Sequence, residues 1–198
     1  FGFPDVAPNS GFLWNSTLGL GDVNAVYVED STFTFNGGQA NFVDCNYGGR
    51  RVIRFSNFNS SSSVDSHSNQ GWHGCRRWEV YNTTQGFTVP YFVSTFIRGG
   101  TGVIFNNAVA SGYTEGKLGF DNVRSFEARS PLGQCNGTQI YDGNLLGNGW
   151  PCRDQIGWNT TAFQWTVLGS PPSQAHEPAY LWGTTIGGAR QEVVIRNG

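Results

Sequence analysis

The stretch Gly100-Thr-Gly-Val-Ile-Phe-Asn-Asn-Ala-Val109 decides the fold, because versions of it recur before and after it. Anchored on Asn107, the same seven-residue frame reads Tyr27-Val-Glu-Asp-Ser-Thr-Phe33, Val52-Ile-Arg-Phe-Ser-Asn-Phe58, Trp78-Glu-Val-Tyr-Asn-Thr-Thr84, Val103-Ile-Phe-Asn-Asn-Ala-Val109 and Tyr180-Leu-Trp-Gly-Thr-Thr-Ile186. Its fifth position holds Ser31, Ser56, Asn82, Asn107 and Thr184, and successive anchors lie 25, 26, 25 and 77 residues apart. The last interval is close to three of the others. A period of about 25 residues is the signature of a solenoid whose units bury their apolar faces on one another.

The residue types select strands over helices. The frames carry Val, Ile, Phe, Tyr, Trp and Thr and are bounded by Gly and Asn clusters such as Asn36-Gly-Gly38, Tyr47-Gly-Gly49 and Gly99-Gly100. No segment shows apolar residues at i, i+3, i+4 and i+7, and the chain has 28 glycines, no methionine and 13% charged residues. Stacked coils pair their strands in parallel at about 4.8 Å and align like residues into internal ladders. The small polar column suits such a ladder at a turn, where Asn hydrogen-bonds to its neighbour and tolerates a left-handed backbone. The expected fold is an all-β, right-handed parallel β-helix of about 25 residues per rung. An antiparallel sandwich is the alternative that shares short strands and Gly turns.

The 198 residues make one domain: an irregular lead-in over 1–23, regular rungs over 24–109, loops with further strands over 110–178, and a last rung with a closing strand over 179–198. Within 110–178, Leu118-Gly-Phe-Asp-Asn-Val-Arg124 reads as a strand, as does Gln191 to Arg196 near the end. The run after Asn59 is too polar for a core and reads as a loop or a polar strand. With a net charge of −2 there is no basic stripe for nucleic acid, and no run of 18 apolar residues to span a membrane. The chain starts at Phe1 and lacks Met, which suggests a processed mature chain or a piece of a longer one.

Cys45, Cys75, Cys135 and Cys152 form an even set in a lysine-poor chain, as expected in an oxidising compartment. Three pairings are open. Cys45 and Cys75 precede successive rungs and Cys135 and Cys152 enclose one loop, so Cys45 with Cys75 and Cys135 with Cys152 is the preferred set. A zinc site of Cys45, His67, His73 and Cys75 is the competing use of the first pair, although the spacing matches no compact motif. No cofactor is expected; calcium stays open as a ligand, with no repeated Asp motif to support it.

Ala25-Val-Tyr-Val-Glu-Asp30, Tyr47-Gly-Gly-Arg50, Arg76-Arg-Trp-Glu-Val-Tyr-Asn82, Phe96-Ile-Arg-Gly-Gly-Thr-Gly-Val-Ile-Phe-Asn-Asn107, Tyr141-Asp-Gly-Asn144, Pro151-Cys-Arg-Asp-Gln-Ile-Gly157 and Glu177-Pro-Ala-Tyr-Leu-Trp182 together resemble secreted bacterial right-handed parallel β-helix repeat proteins. The resemblance covers about residues 24–188 and implies a fold and export; it carries over no catalytic residue. Pectate lyases, pectinases, tailspikes and adhesins share that fold more distantly, which is a fold-level analogy only.

Three functions follow as expectations. The first is an extracellular structural or surface-interaction protein, able to stack head to tail with copies of itself because neither end shows an obvious cap, and contacting polysaccharide or cell-surface glycan through exposed aromatics. The second is a polysaccharide lyase or glycoside hydrolase, for which Asp44, Asp65, His67, His73 and Arg98 are the leading candidates, with Asp121, Arg124 and Asp154 behind them. Residues one rung apart lie side by side, so Asp44 and a member of the 65–73 segment share a face; Glu79 and Arg54 read as solvated strand residues. The third is a glycosylated coat protein with acceptor sequons at Asn15, Asn59, Asn136 and Asn159. Asn82 also heads a sequon, but its place in the ladder column turns it inward.

Overall fold

The computed structural model describes residues 23, 25–34, 40–45, 50–59, 62–66, 75, 77–86, 94–97, 99–112, 117–122, 156–160, 174–190 and 192–197. All regular structure among them is β. In chain order the strands are β1 (Val26–Glu29), β2 (Thr32–Phe33), β3 (Ala40–Cys45), β4 (Arg50–Arg54), β5 (Asn57–Phe58), β6 (Ser62–Ser66), β7 (Arg77–Tyr81), β8 (Thr84–Gln85), β9 (Thr95–Ile97), β10 (Thr101–Phe105), β11 (Ala108–Val109) and β12 (Lys117–Asn122). Then come β13 (Trp158–Thr160), β14 (Gln174–His176), β15 (Tyr180–Trp182), β16 (Thr185–Ile186), β17 (Ala189–Arg190) and β18 (Glu192–Asn197).

Three sheets collect these strands in a fixed rotation. The first sheet orders β1-β4-β7-β10-β15, the second β2-β5-β8-β11-β16-β17, and the third β3-β6-β9-β12-β18. Each circuit of the chain therefore visits the three sheets in the same sequence, and every pairing within them is parallel except β16 with β17. This parallel pairing sets aside the antiparallel sandwich. The 62–66 segment is a polar strand, and 117–122 is the expected additional one.

The 77-residue interval is one circuit step, not three. Ile104 pairs directly with Leu181 and Phe120 with Ile195, so the chain between β12 and β15 is an excursion from a continuous stack. Part of that excursion returns to the stack: the antiparallel pair β13 and β14 leads back to a corner where Gly157 N–H donates to Gly100 O at 3.0 Å. Thr101 Oγ1 donates to the carbonyls of Glu177 and Pro178, at 2.9 Å each. Gly99 and Gly100 take φ of 87° and 76°, a backbone that glycine adopts without a Cβ clash. Gly99–Thr101 and Gly157, from two of the stretches that carry the resemblance, thus meet at one corner.

The interior is shared by all three sheets. Ile53, Val80 and Ile104 come from the first, Phe58 from the second, and Cys45, Val64, Ile97 and Leu118 from the third. Burying each large side chain of this kind contributes about 1.5–3 kcal/mol. Trp78 is fully buried among them and donates its indole N–H to Gly99 O at 3.1 Å. Cys45 and Cys75 are joined in a disulfide, Cα–Cα 5.1 Å, with both residues buried. That pairing consumes two thiolates of the alternative zinc set. Cys135 and Cys152 lie outside the described residues. The disulfide closes a 30-residue separation, so the Cys45→Ser, Cys75→Ser double variant is expected to lose about 3 kcal/mol in denaturant titration. An unchanged midpoint would rule out that contribution.

One frame assignment is corrected by the register. Val52 pairs with Glu79, not Trp78, and Glu79 pairs with Val103. The third frame is Glu79 to Gln85, and the fifth-position column is Ser31, Ser56, Thr83, Asn107 and Thr184. A slip of one residue exchanges the two faces of a strand. Accordingly Thr83 is buried and Asn82 is exposed. Asn82 instead belongs to the fourth position, where Asp30, Phe55, Asn82, Asn106 and Gly183 all have positive φ, between 47° and 66°. The left-handed corner and the buried ladder, expected in one column, occupy two adjacent ones.

The ladder is continuous through the later circuits. Thr83 donates from both N–H and Oγ1 to Asn107 Oδ1, at 3.0 and 2.9 Å; Asn107 N–H donates to Thr184 Oγ1 at 3.3 Å. Asn107 Nδ2 donates to Val80 O at 3.0 Å, and Ser31 N–H repeats the pattern with Ser56 Oγ at 3.3 Å.

The far end is not a bare edge throughout. Gly187 and Gly188, with φ of 55° and 82°, turn β17 back onto β16. The next place in the second sheet is thereby taken by the chain itself. At this end the edge of the second sheet is therefore the antiparallel β17, while the first and third sheets end in the parallel strands β15 and β18.

Candidate functional site: an aromatic lane on the outer face

In the first sheet Val28, Ile53, Val80, Ile104 and Leu181 pack against or within the core, so the residues on either side of them face outward. One outward column is Tyr27, Val52, Glu79, Val103 and Tyr180. Its middle is covered: Val52, Glu79 and Val103 are 0%, 3% and 7% exposed. Glu79 lies 3.4 Å from Arg77 and is buried with it, so it is not the solvated strand residue expected.

The other outward column stays open and is chemically graded. It runs Glu29, Arg54, Tyr81, Phe105 and Trp182. Arg54 Nη2 pairs with Glu29 Oε1 at 2.6 Å and Nη1 donates to the Tyr81 hydroxyl at 2.9 Å. The Tyr81 hydroxyl first, and Glu29 with it, push the Arg54 guanidinium toward still firmer protonation. Beyond this polar end the rings stack. Tyr81 and Phe105 centroids are 4.6 Å apart at 7°, and Phe105 and Trp182 are 4.3 Å apart at 3°. Trp182 ends the column on the last strand of its sheet and is half exposed.

Phe55 flanks this lane from the left-handed corner. Its φ is 50°, a conformation that bulky side chains rarely hold, and it is 51% exposed. Its ring meets Tyr81 edge-on at 6.1 Å, and the Arg54 guanidinium lies 5.8 Å from its centroid. Strained residues concentrate at functional sites. Phe55→Asn relieves the strain and is expected to raise stability by about 1 kcal/mol, read as a higher melting temperature.

The column was hidden by the frame slip. With Trp78 in first position the third position reads Glu29, Arg54, Val80, Phe105, Trp182, which is not an aromatic run. Shifting the third frame by one residue inserts Tyr81 and exposes it. The signal that could have found the shift is the alternation itself, since Trp78 and Val80 are both apolar and belong on one face.

The sequence-derived candidates fall elsewhere. Asp44 sits on β3 between Val43, packed on the core, and buried Cys45, so it points away from the core. The register sets it beside Asp65 on β6, and Asp65 beside Phe96 on β9. Two candidate acids are thus brought to neighbouring strands. Asp121 pairs in register with Arg196. His67, His73, Arg98, Arg124 and Asp154 lie outside the described residues. Among the described residues no group of three or more His, Cys, Asp and Glu could hold a metal. No helix among them is long and apolar enough to cross a membrane. Of the sequons, Asn59 is exposed, Asn159 is on β13, and Asn15 and Asn136 are outside the described residues. Asn82, expected to turn inward, is exposed.

No family model matches the chain, and no curated protein or solved structure matches it.

Proposed function

We propose that this chain is a secreted right-handed parallel β-helix protein with a surface-interaction role, and that it contacts polysaccharide through the lane from Arg54 to Trp182. The observation that carries the reading is the stacked series Tyr81, Phe105 and Trp182, which ends in a half-exposed indole beside a polar Arg54–Glu29 pair. Aromatic faces take the C–H surface of a sugar ring, while charged and hydroxyl groups bind its rim. The repeating passage through three parallel sheets supports the β-helix, and the buried disulfide supports an oxidising compartment. At the β17 end a second copy would meet an antiparallel edge in the second sheet, and glycan contact is the leading role.

Binding of the purified chain to a panel of insoluble and soluble polysaccharides tests the reading. Trp182→Ala is expected to weaken the best interaction by about tenfold, equivalent to about 1.4 kcal/mol, with Tyr81→Ala close behind. Phe55→Asn is expected to weaken it while stabilising the fold. Retention of full affinity by Trp182→Ala would sink the assignment.

A second reading, polysaccharide cleavage, is favoured by one observation. Asp44 and Asp65 are register partners on adjacent strands, so two acidic residues sit one strand spacing apart in the sheet, as a pair of glycosidase carboxyls requires two acids brought close together. Cleavage that disappears in both Asp44→Asn and Asp65→Asn would establish it.

A further inference from the structure

We infer that the open end of the core, which Trp182 at the end of the aromatic lane also lines, is a binding site for a small amphiphile: an alkyl chain bearing one carboxylate. A cavity of about 520 Å³ lies at the last circuit, with Ile104, Leu118, Leu181, Thr184, Val193 and Arg190 among its lining. Its origin is in the stacking. Among the described residues, circuits two to four have a neighbour on each side, whereas the fifth has a neighbour on one side only. β17 folds back over the second sheet alone, and the first and third sheets stop at β15 and β18. Among the described residues, no strand lies over the middle of the interior at this end.

The floor and walls dictate the ligand class. Ile104 and Leu118, from the fourth circuit, form the floor and belong to the apolar core at 1% exposure each. Leu181 and Val193 of the fifth circuit face each other from the first and third sheets, and Val193 is 41% exposed although it pairs with Leu118 on an inward-facing register. An aliphatic occupant would cover these surfaces as a sixth circuit would, and the volume falls within the range of small-molecule sites. At the rim, the β16–β17 register sets Arg190 opposite Thr185, next to Thr184, and Arg190 is exposed. A guanidinium there offers a carboxylate two parallel charge-assisted hydrogen bonds and offers a neutral head group much less.

Isothermal titration of the intact chain with decanoate and with decanol, both kept below their aggregation concentrations, tests the inference. Saturable 1:1 decanoate binding is expected. Arg190→Gln should weaken decanoate about tenfold and leave decanol unchanged. Val193→Trp, at an exposed edge position, should abolish both, with its melting temperature showing that the fold is intact. Failure of decanoate to saturate overturns the proposal. So does equal loss of decanoate and decanol in Arg190→Gln, a variant that does not depend on tolerance of a large side chain. If sedimentation shows a dimer that Val193→Trp dissolves, with no decanoate uptake, the end belongs to a second copy and the proposal is likewise overturned.

Discussion

Gly102→Ala is expected to destabilise the protein by about 4 kcal/mol, beyond the usual range for overpacking a core. Gly102 lies on β10 directly beside Trp78 of β7. A Cβ at this position would fall on the Trp78 carbonyl oxygen and come within 2.7 Å of both its carbonyl carbon and its ring atom Cε3. Neither neighbour can move cheaply. The carbonyl is part of the ladder between two parallel strands, and the indole is held by its bond to Gly99 O and by contact with Phe120, 5.9 Å between centroids. Relief requires either parting β7 from β10 or expelling a fully buried tryptophan. Denaturant unfolding followed by tryptophan fluorescence measures the loss, and a midpoint within experimental error of the parent would show that the strands separate freely here.

Asn107→Ala is expected to cost a similar amount, about 4 kcal/mol, because three buried groups lose partners together at about 1–3 kcal/mol each. The Thr83 N–H and hydroxyl both donate to Asn107 Oδ1, and Val80 O accepts from Nδ2. Asn107 is 2% exposed, so water does not replace what is lost. Asn107→Asp separates the two halves of the role. It keeps the acceptor and removes the donors, and it adds a buried charge. It should therefore fall well below the parent at neutral pH and recover part of the deficit in acid, where the carboxyl is neutral. Thermal unfolding at two pH values reads this directly, and a pH-independent deficit would assign the loss to packing alone.

Much of the architecture was legible in Gly100 to Val109 and its echoes, because a parallel stack forces equivalent residues to the same height. The frames at Tyr27, Val52, Val103 and Tyr180 are in register as read. The frame at Trp78 was displaced by one, since Trp78 resembles Tyr27 and Tyr180 in bulk and Asn82 resembles Asn107 in chemistry. Residue likeness outvoted alternation. The consequence reached the site: the slip removed Tyr81 from the outward column and put Asn82 inside. Burial of Glu79 was also illegible, because it depends on what covers the sheet and not on the strand that carries it. The sequence placed Asp44 beside some member of the 65–73 segment, and the register selects Asp65, 21 residues on and short of the 25-residue rung, which spacing alone did not single out. β17 was not anticipated as a separate strand, because Gly187-Gly188 reads as a turn without saying which strand the chain returns to.

The direct pairing of β10 with β15 and of β12 with β18 means that the stack is continuous although the chain leaves it after Asn122 and rejoins it at Tyr180. Register on either side is set by direct strand pairing, and the described part of the excursion adds core contacts at Ile156 and Ala179 and its hydrogen bonds near Gly100. Elsewhere in the excursion length and composition can drift while the stack stays fixed. The point where the chain leaves the stack and rejoins it is a graft site: a foreign loop placed there would be carried at the seam between the third and first sheets, at the end of β10 opposite Phe105.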